Sequence, residues 1–113
     1  MGETYRLTIT HGDDVGSTRT LSLAGELDAY TAPELEAALA DHGPDGTRPS
    51  LRVDLSRVTF MDSTGLRVII RADNELTAAG RQLVLVAPSA PVSRLFELTA
   101  LDDRFVIESG VLE

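Results

Sequence analysis

The feature that most restricts the fold of this chain is an unbroken apolar run, Leu83-Val84-Leu85-Val86-Ala87. A run of this length without polar alternation is typical of a strand that is covered on both faces, as in a parallel sheet. An amphipathic stretch precedes the run, and another begins after it at Ser89-Ala90-Pro91. Strands that are joined through helices predict a largely parallel sheet with right-handed crossovers.

Alternating apolar and polar residues predict the other strands of the sheet. Residues 5–10 and 20–24 alternate in this way, and the turn-forming residues between them indicate a hairpin with a long loop. Residues 51–55 form a third alternating segment, and residues 105–107 suit a short last strand. We therefore predict the α/β class: a small mixed, mostly parallel sheet with an N-terminal hairpin and helices packed on it.

A capping box marks the start of the first helix. In Thr31-Ala32-Pro33-Glu34, the Thr31 hydroxyl can accept from the N–H of Glu34, and the Glu34 side chain can reach back to the N–H of Thr31. Tyr30 and Leu35 occupy the positions of a hydrophobic staple. We expect Gly43-Pro44 to end this helix.

Two further helices follow from apolar residues that are spaced by three and four. The second helix is expected to bury Leu66, Ile69, Ala72, Leu76 and Ala79, with Gly80 after its end. The third is expected to place Val92, Leu95, Phe96 and Thr99 on one side. Val68 and Ile70 flank the apolar stripe of the second helix, so they either widen its core face or contribute to a partner interface.

Composition narrows the classes of function. The 113 residues suit one domain, residues 1–113, and no apolar run approaches the roughly 20 residues that span a bilayer. We see no secretory signal, and the absence of cysteine suits a reducing, cytoplasmic compartment. The net charge is −8, and all ten basic residues are Arg. This acidic balance argues against nucleic acid and against an anionic membrane surface, whereas it permits a basic protein partner.

One turn carries the candidate chemistry: Phe60-Met61-Asp62-Ser63-Thr64-Gly65-Leu66 leads from a strand into the second helix. Ser63 is the best candidate for the N-cap of that helix. Its hydroxyl would then lie where free N–H groups and the positive end of the helix dipole converge, so an attached phosphate would meet an anion site. Gly65 leaves the turn uncrowded for another protein's active site. From the residues alone, an ordinary helix cap remains the alternative interpretation.

The sequence resembles the STAS domain family, which is named for sulfate transporters and anti-sigma factor antagonists. Within the family it is similar to the free-standing bacterial anti-sigma factor antagonists. The resemblance covers nearly the whole chain, and its most specific part is the Asp-Ser-Thr-Gly-Leu stretch at residues 62–66. Four stretches carry it in the family's order: residues 23–28 with 31–32, residues 53–55 with 58–66, residues 79–86, and residues 92–101.

The resemblance implies a partner-switching mechanism with Ser63 as the phosphorylation site. The unphosphorylated protein would bind an anti-sigma factor that is also its serine kinase, and thereby release a sigma factor. Phosphorylation would break that complex, and a metal-dependent serine/threonine phosphatase would restore it. We expect no cofactor or metal, and a monomer when the protein is free.

Several residues around Ser63 keep two interpretations. Asp28 either braces the turn that contains Asp62 or, as the resemblance implies, helps the kinase to recognise the serine. Thr64 offers a second hydroxyl, although the resemblance favours Ser63. Arg67 stands where many family members have a small residue, and it could pair with phosphoserine, pair with the partner, or be solvated surface.

Two other functions compete with a regulatory switch. An enzyme with a nucleophilic serine needs a base, but neither His11 nor His42 is near Ser63 in the chain. No phosphate-binding loop or cluster of metal ligands is visible in the sequence either. A STAS domain that docks on a transporter or in a larger signalling assembly is the second alternative.

Overall fold

A computed structural model of the chain describes residues 6–14, 16, 18–40, 49–101 and 103–109. The elements are β1 (Leu7–His11), β2 (Thr18–Leu27), α1 (Ala32–Ala40), β3 (Ser50–Met61), α2 (Ser63–Ala78), β4 (Leu83–Val86), α3 (Ala90–Leu98) and β5 (Val106–Glu108). The strands lie in the order in which they occur in the chain. β1 and β2 pair antiparallel, and every other neighbouring pair is parallel. The predicted α/β fold with an N-terminal hairpin is thus confirmed.

β2 and β3 are longer than the alternating pattern predicted. Their pairing has register shifts between Ser22 and Ala24 and between Gly25 and Glu26. Each irregularity adds a residue on one strand and resets which side chains point inward, so the period-two pattern is lost although the pairing continues. Residues 56–61, which lie beyond the alternating segment 51–55, are therefore the second half of β3.

The helices cover the sheet with the core between them. α2 lies beside α1 and packs across β2, β3 and β4, and α3 packs against β3. Val68 is buried and Ile70 is partly buried against the core, which confirms the wider core face of α2. The largest fully buried side chains are Phe96, Leu21, Leu23, Leu27, Leu35, Leu55, Ile69, Leu76, Leu85, Val53, Val58 and Val92.

The end of α2 explains one wrong expectation for the core. Gly80 follows the helix with a φ of +73°. Its N–H donates to Thr77 at 3.0 Å, and the N–H of Arg81 donates to Leu76 at 2.7 Å, which is the Schellman pattern. Ala79 is the C-cap residue and its side chain is exposed, since the chain leaves the helical path there. Gly80 was thus predicted correctly, whereas the burial of Ala79 was wrong.

α3 ends in the same way without a glycine. The N–H of Leu101 donates to Phe96 at 2.8 Å, and the N–H of Ala100 donates to Glu97 at 3.2 Å. Ala100 takes a φ of +59° at this position, a conformation that is unfavourable for a residue with a Cβ. The ring of Phe105 packs on Phe96 with 5.2 Å between ring centres, which holds the chain after α3 on the core. On the predicted side of α3, Val92 and Phe96 are buried, whereas Thr99 at the helix end is exposed.

Candidate functional site

The candidate site lies at the edge of the sheet where β2 and β3 end together. Leu27 and Met61 are register partners, so Asp28 and Asp62 follow side by side. The N–H of Asp62 donates to the carbonyl of Leu27 at 3.1 Å, which ties the two strand ends together. Asp28 therefore lies at the same end of the sheet as Ser63.

Asp62, not Ser63, caps α2. Oδ1 of Asp62 accepts from the N–H groups of Thr64 at 2.9 Å and Gly65 at 3.1 Å. The backbone of Asp62 is extended, with φ −112° and ψ −174°, as an N-cap residue requires. β3 runs without interruption to Met61, so the residue after it is the one that still has an extended backbone when the helix begins. Ser63 is consequently the first helical residue, and our N-cap assignment was wrong.

This capping changes what surrounds the Ser63 side chain, which is exposed. The N–H groups of Thr64 and Gly65 already bind a carboxylate, so they do not form the open anion site that we expected for a phosphate. A phosphate on Ser63 would instead lie beside the negative charge of Asp62. The hydroxyl of Thr64 is on the same turn but is half-buried.

Gly65 is buried under the end of β2. A Cβ on Gly65 would lie 2.6 Å from the carbonyl oxygen of Leu27 and 2.8 Å from its Cβ. The glycine therefore lets the first turn of α2 sit directly on the β2 backbone. Our expectation that it leaves room for another protein was wrong, because the open side faces the protein's own sheet.

Asp28 is only 8 % exposed, and both of its carboxylate oxygens are bound. Oδ1 accepts from the N–H groups of Tyr30 at 3.0 Å and Thr31 at 3.1 Å, while Oδ2 accepts from the Arg6 guanidinium. Burial alone raises the pKa of this carboxyl, but the N–H donors of Thr31 and Tyr30 together with Arg6 outweigh it and hold the pKa below its ordinary value. Asp28 thus braces its own turn rather than the turn of Asp62.

The Thr31 hydroxyl belongs to the same turn. It accepts from the N–H of Asp28 at 3.1 Å and donates to the carbonyl of Glu26 at 2.8 Å. The structure therefore uses this hydroxyl to close the chain between β2 and α1, in place of the exchange with Glu34 that the capping box predicted. Threonine and serine side chains form such local turns as readily as helix caps, which is why the pattern was ambiguous.

Arg6 completes the site, although no sequence pattern singled it out as a site residue. Its guanidinium pairs with Glu26 at 2.8 Å and with Asp28, and it lies 4.9 Å from the centre of the Tyr30 ring. Tyr30 is 76 % exposed, so the predicted staple with Leu35 was wrong, and the ring contacts the Arg6 guanidinium instead. The hairpin register, in which Leu7 faces Gly25, could have indicated that Arg6 approaches Glu26.

The remaining candidate residues of the sequence lie at different distances from this edge. Arg67 is exposed on α2, one turn after Ser63, and forms no ion pair with the described part of the chain. His11 pairs with Leu21, six residues before the end of β2 and roughly 20 Å along the strand, so it is no base for Ser63. His42 and Gly43-Pro44 lie outside the described residues. Among the residues described, no three His, Asp or Glu side chains are grouped as metal ligands.

A helix that could cross a membrane is absent from the described ranges. A family model described as "Mlab, STAS domain" matches residues 11–112. The described residues form a five-stranded mixed sheet and three helices. The chain belongs to the STAS domain family.

Within that family, the similar sequences are anti-sigma factor antagonists. The anti-sigma-B factor antagonist of Staphylococcus aureus is 39 % identical over 90 residues, which covers 80 % of this chain and 82 % of that protein. The anti-sigma-B factor antagonist of Staphylococcus epidermidis is 36 % identical over 103 residues and 91 % of both chains.

Solved structures agree with this assignment. An anti-sigma factor antagonist from Mycobacterium paratuberculosis is 32 % identical, with a TM-score of 0.70 over 89 % of this chain and 86 % of the other. The Bacillus cell fate determinant SpoIIAA in its phosphorylated form has the same fold, with a TM-score of 0.72, 21 % identity and 92 % of both chains covered.

Proposed function

We propose that this protein is an anti-sigma factor antagonist that is switched off by phosphorylation of Ser63. The unphosphorylated form binds an anti-sigma factor that is also a serine kinase, and so releases a sigma factor. The observation that carries the proposal is the exposed Ser63 side chain at a rigid sheet edge, directly after a carboxylate that is committed to capping α2. The anti-sigma-B factor antagonists that are 36–39 % identical to it over 80–91 % of the chain support the choice of partner.

The proposed site consists of Asp28, Asp62, Ser63, Thr64 and Gly65, with Arg67 on its rim. Two of these residues stabilise the structure of this sheet edge. Asp28 stabilises the turn between β2 and α1, and Gly65 allows α2 to approach β2 closely. Ser63 is favoured over Thr64 as the phosphate acceptor because its side chain is exposed, whereas that of Thr64 is half-buried. A kinase can reach the Ser63 hydroxyl without any part of the fold opening.

Electrostatics explain how a phosphate would break the complex. It adds about −1.5 to −2 charges beside Asp62, on a protein whose net charge is already −8. Within a docked surface, this charge must lose water and is repelled by the neighbouring carboxylate. A penalty of about 3 kcal/mol weakens binding more than about a hundredfold. The mechanism needs no change of backbone conformation.

The remaining parts of the proposal concern the phosphatase, the absence of catalysis and the state of the free protein. A metal-dependent serine/threonine phosphatase removes the phosphate, and the antagonist itself catalyses no reaction and needs no cofactor. We propose a single domain over residues 1–113 that is monomeric when free and works in the cytoplasm, without nucleic acid or membrane as a partner. The acidic net charge supports the absence of a nucleic-acid or membrane partner. The position of His11 supports the absence of catalysis, because that histidine is too far from Ser63 to act as its base.

Binding of purified protein to its anti-sigma factor, measured by calorimetry, tests the proposal. Ser63→Asp should weaken binding at least tenfold while its circular dichroism and melting temperature stay near those of wild type. Ser56→Asp is the matched control, since it adds the same charge at an exposed position in the middle of β3.

The proposal also requires phosphate on Ser63 in the cell. Intact mass and peptide mapping of protein from its own cells should find one phosphoryl group there, absent from Ser63→Ala. Wild-type affinity in Ser63→Asp together with an unmodified Ser63 would contradict the switch. Co-purification with a membrane transporter instead of a kinase would favour a docking subunit.

A further inference from the structure

Arg67 has no acidic neighbour within reach on its own helix. Side chains three and four positions away share its face of α2, and these are Ser63, Thr64, Ile70 and Arg71. None of them is acidic, and Arg67 is exposed without an ion pair to the described residues. One turn further along, Arg71 reaches Glu36 of α1 at 3.1 Å. The second turn of α2 therefore begins with an exposed cation that has no ion-pair partner among the described residues, in a protein of net charge −8.

Ser63 stands four residues before Arg67, which is the favourable arrangement for an ion pair on a helix. Side chains at this spacing have Cβ atoms about 5–6 Å apart, and the order with the anion nearer the N-terminus is the more stabilising one. Two of the backbone donors at this end of the helix are already used, because Asp62 accepts from Thr64 and Gly65. A phosphoryl group on Ser63 thus has the Arg67 guanidinium as the cation within helical reach.

We infer that Arg67 binds the phosphoryl group of phosphorylated Ser63 through an ion pair along the surface of α2, an inference that rests on the proposed function. Guanidinium and phosphate match in a two-pronged hydrogen-bonded geometry, which a Lys does not reproduce. Phosphorylation then changes the docking surface twice, because it adds negative charge beside Asp62 and neutralises the exposed cation that the unphosphorylated form offers to a partner.

The test measures the phosphate itself. Phosphoserine is incorporated at position 63 during translation, so that no kinase is needed, and the ³¹P NMR signal is followed against pH. A nearby cation stabilises the dianion, so the titration midpoint should be about half a pH unit higher in Arg67→Gln than in the otherwise unchanged phosphoprotein. The difference should shrink strongly in 1 M salt, where the Debye length falls to about 3 Å.

Arg71→Gln is the matched control, since it removes the same charge from the same helix eight residues from Ser63. Its midpoint should stay close to that of the unsubstituted phosphoprotein, and Arg67→Lys should show only part of the Arg effect. An unchanged midpoint in Arg67→Gln, or an equal shift in Arg71→Gln, would overturn the inference. Neither result depends on partner binding, so failure of the proposed switch would appear separately, as an anti-sigma factor that binds the phosphoprotein normally.

Discussion

Replacing Gly65 with alanine should destabilise the domain, although alanine is the better helix former. The new Cβ would stand 2.6 Å from the Leu27 carbonyl oxygen, 2.8 Å from the Leu27 Cβ and 3.0 Å from its carbonyl carbon. Ordinary contacts are about 3.5–4.0 Å, so the first turn of α2 has to move away from β2 by close to 1 Å. Two of these three atoms belong to the backbone, which cannot rotate out of the way.

The size of the effect follows from what that movement disrupts. Overpacking against a fixed backbone costs about 2–3 kcal/mol, and loss of the bond from the Asp62 N–H to Leu27 costs about 1 kcal/mol more. The higher helix propensity of alanine returns up to about 1 kcal/mol. We expect a net loss near 2.5 kcal/mol, seen in urea unfolding as a midpoint lowered by more than about 1 M.

Gly80→Ala provides the comparison, because it separates crowding from backbone strain. Gly80 has a φ of +73°, and a Cβ there would meet no atom within 4 Å. Alanine at this position is therefore not crowded, but it must adopt the unfavourable left-handed conformation. That cost is about 1 kcal/mol. A loss in Gly65→Ala that is smaller than in Gly80→Ala would refute the reasoning, since it would mean that α2 can slide on the sheet.

Two further predictions concern stability. Ala100→Gly should raise the free energy of unfolding by about 0.5–1 kcal/mol, because Ala100 has a φ of +59° at the end of α3; an unchanged urea midpoint would contradict this. Asp28 has a lowered pKa, so its contribution to stability is present above its unfolded-state pKa and is lost as pH falls through the folded value. The melting temperature of wild type should therefore exceed that of Asp28→Asn near neutral pH, and the gap should close as the pH falls below the ordinary pKa of an aspartate, about 3.9. A gap that is independent of pH would show that the charge of Asp28 is not what stabilises the turn.

The elements of the fold could be predicted because their signals are local. The apolar run at β4, the spacing along α2 and Gly80 each depend on a few neighbouring residues. The extents of β2 and β3 could not be predicted in this way, since their bulges remove the alternation while the partner strand keeps the pairing. Pairing across strands leaves no trace in the pattern of one strand alone.

The sequence identified most residues of the site, but it did not predict how they are arranged. Asp62 and Ser63 are both good N-cap residues, and only the end of β3 decides between them. The role of Gly65 depends on Leu27, which is far away in the chain and close only after folding. Arg6 directly precedes β1. Its contact with Asp28 depends on the hairpin register and on the turn after β2 together, and neither alone indicates it.

The use of Asp62 as the cap has a consequence for the lifetime of the protein. The groups that cap α2 are backbone N–H donors and a carboxylate, and none of them is the hydroxyl that a kinase would modify. Phosphorylated copies would therefore keep this cap, and the start of the helix would not fray through its loss. The phosphorylated pool would then persist as folded protein, which a phosphatase could return to the binding form without new synthesis.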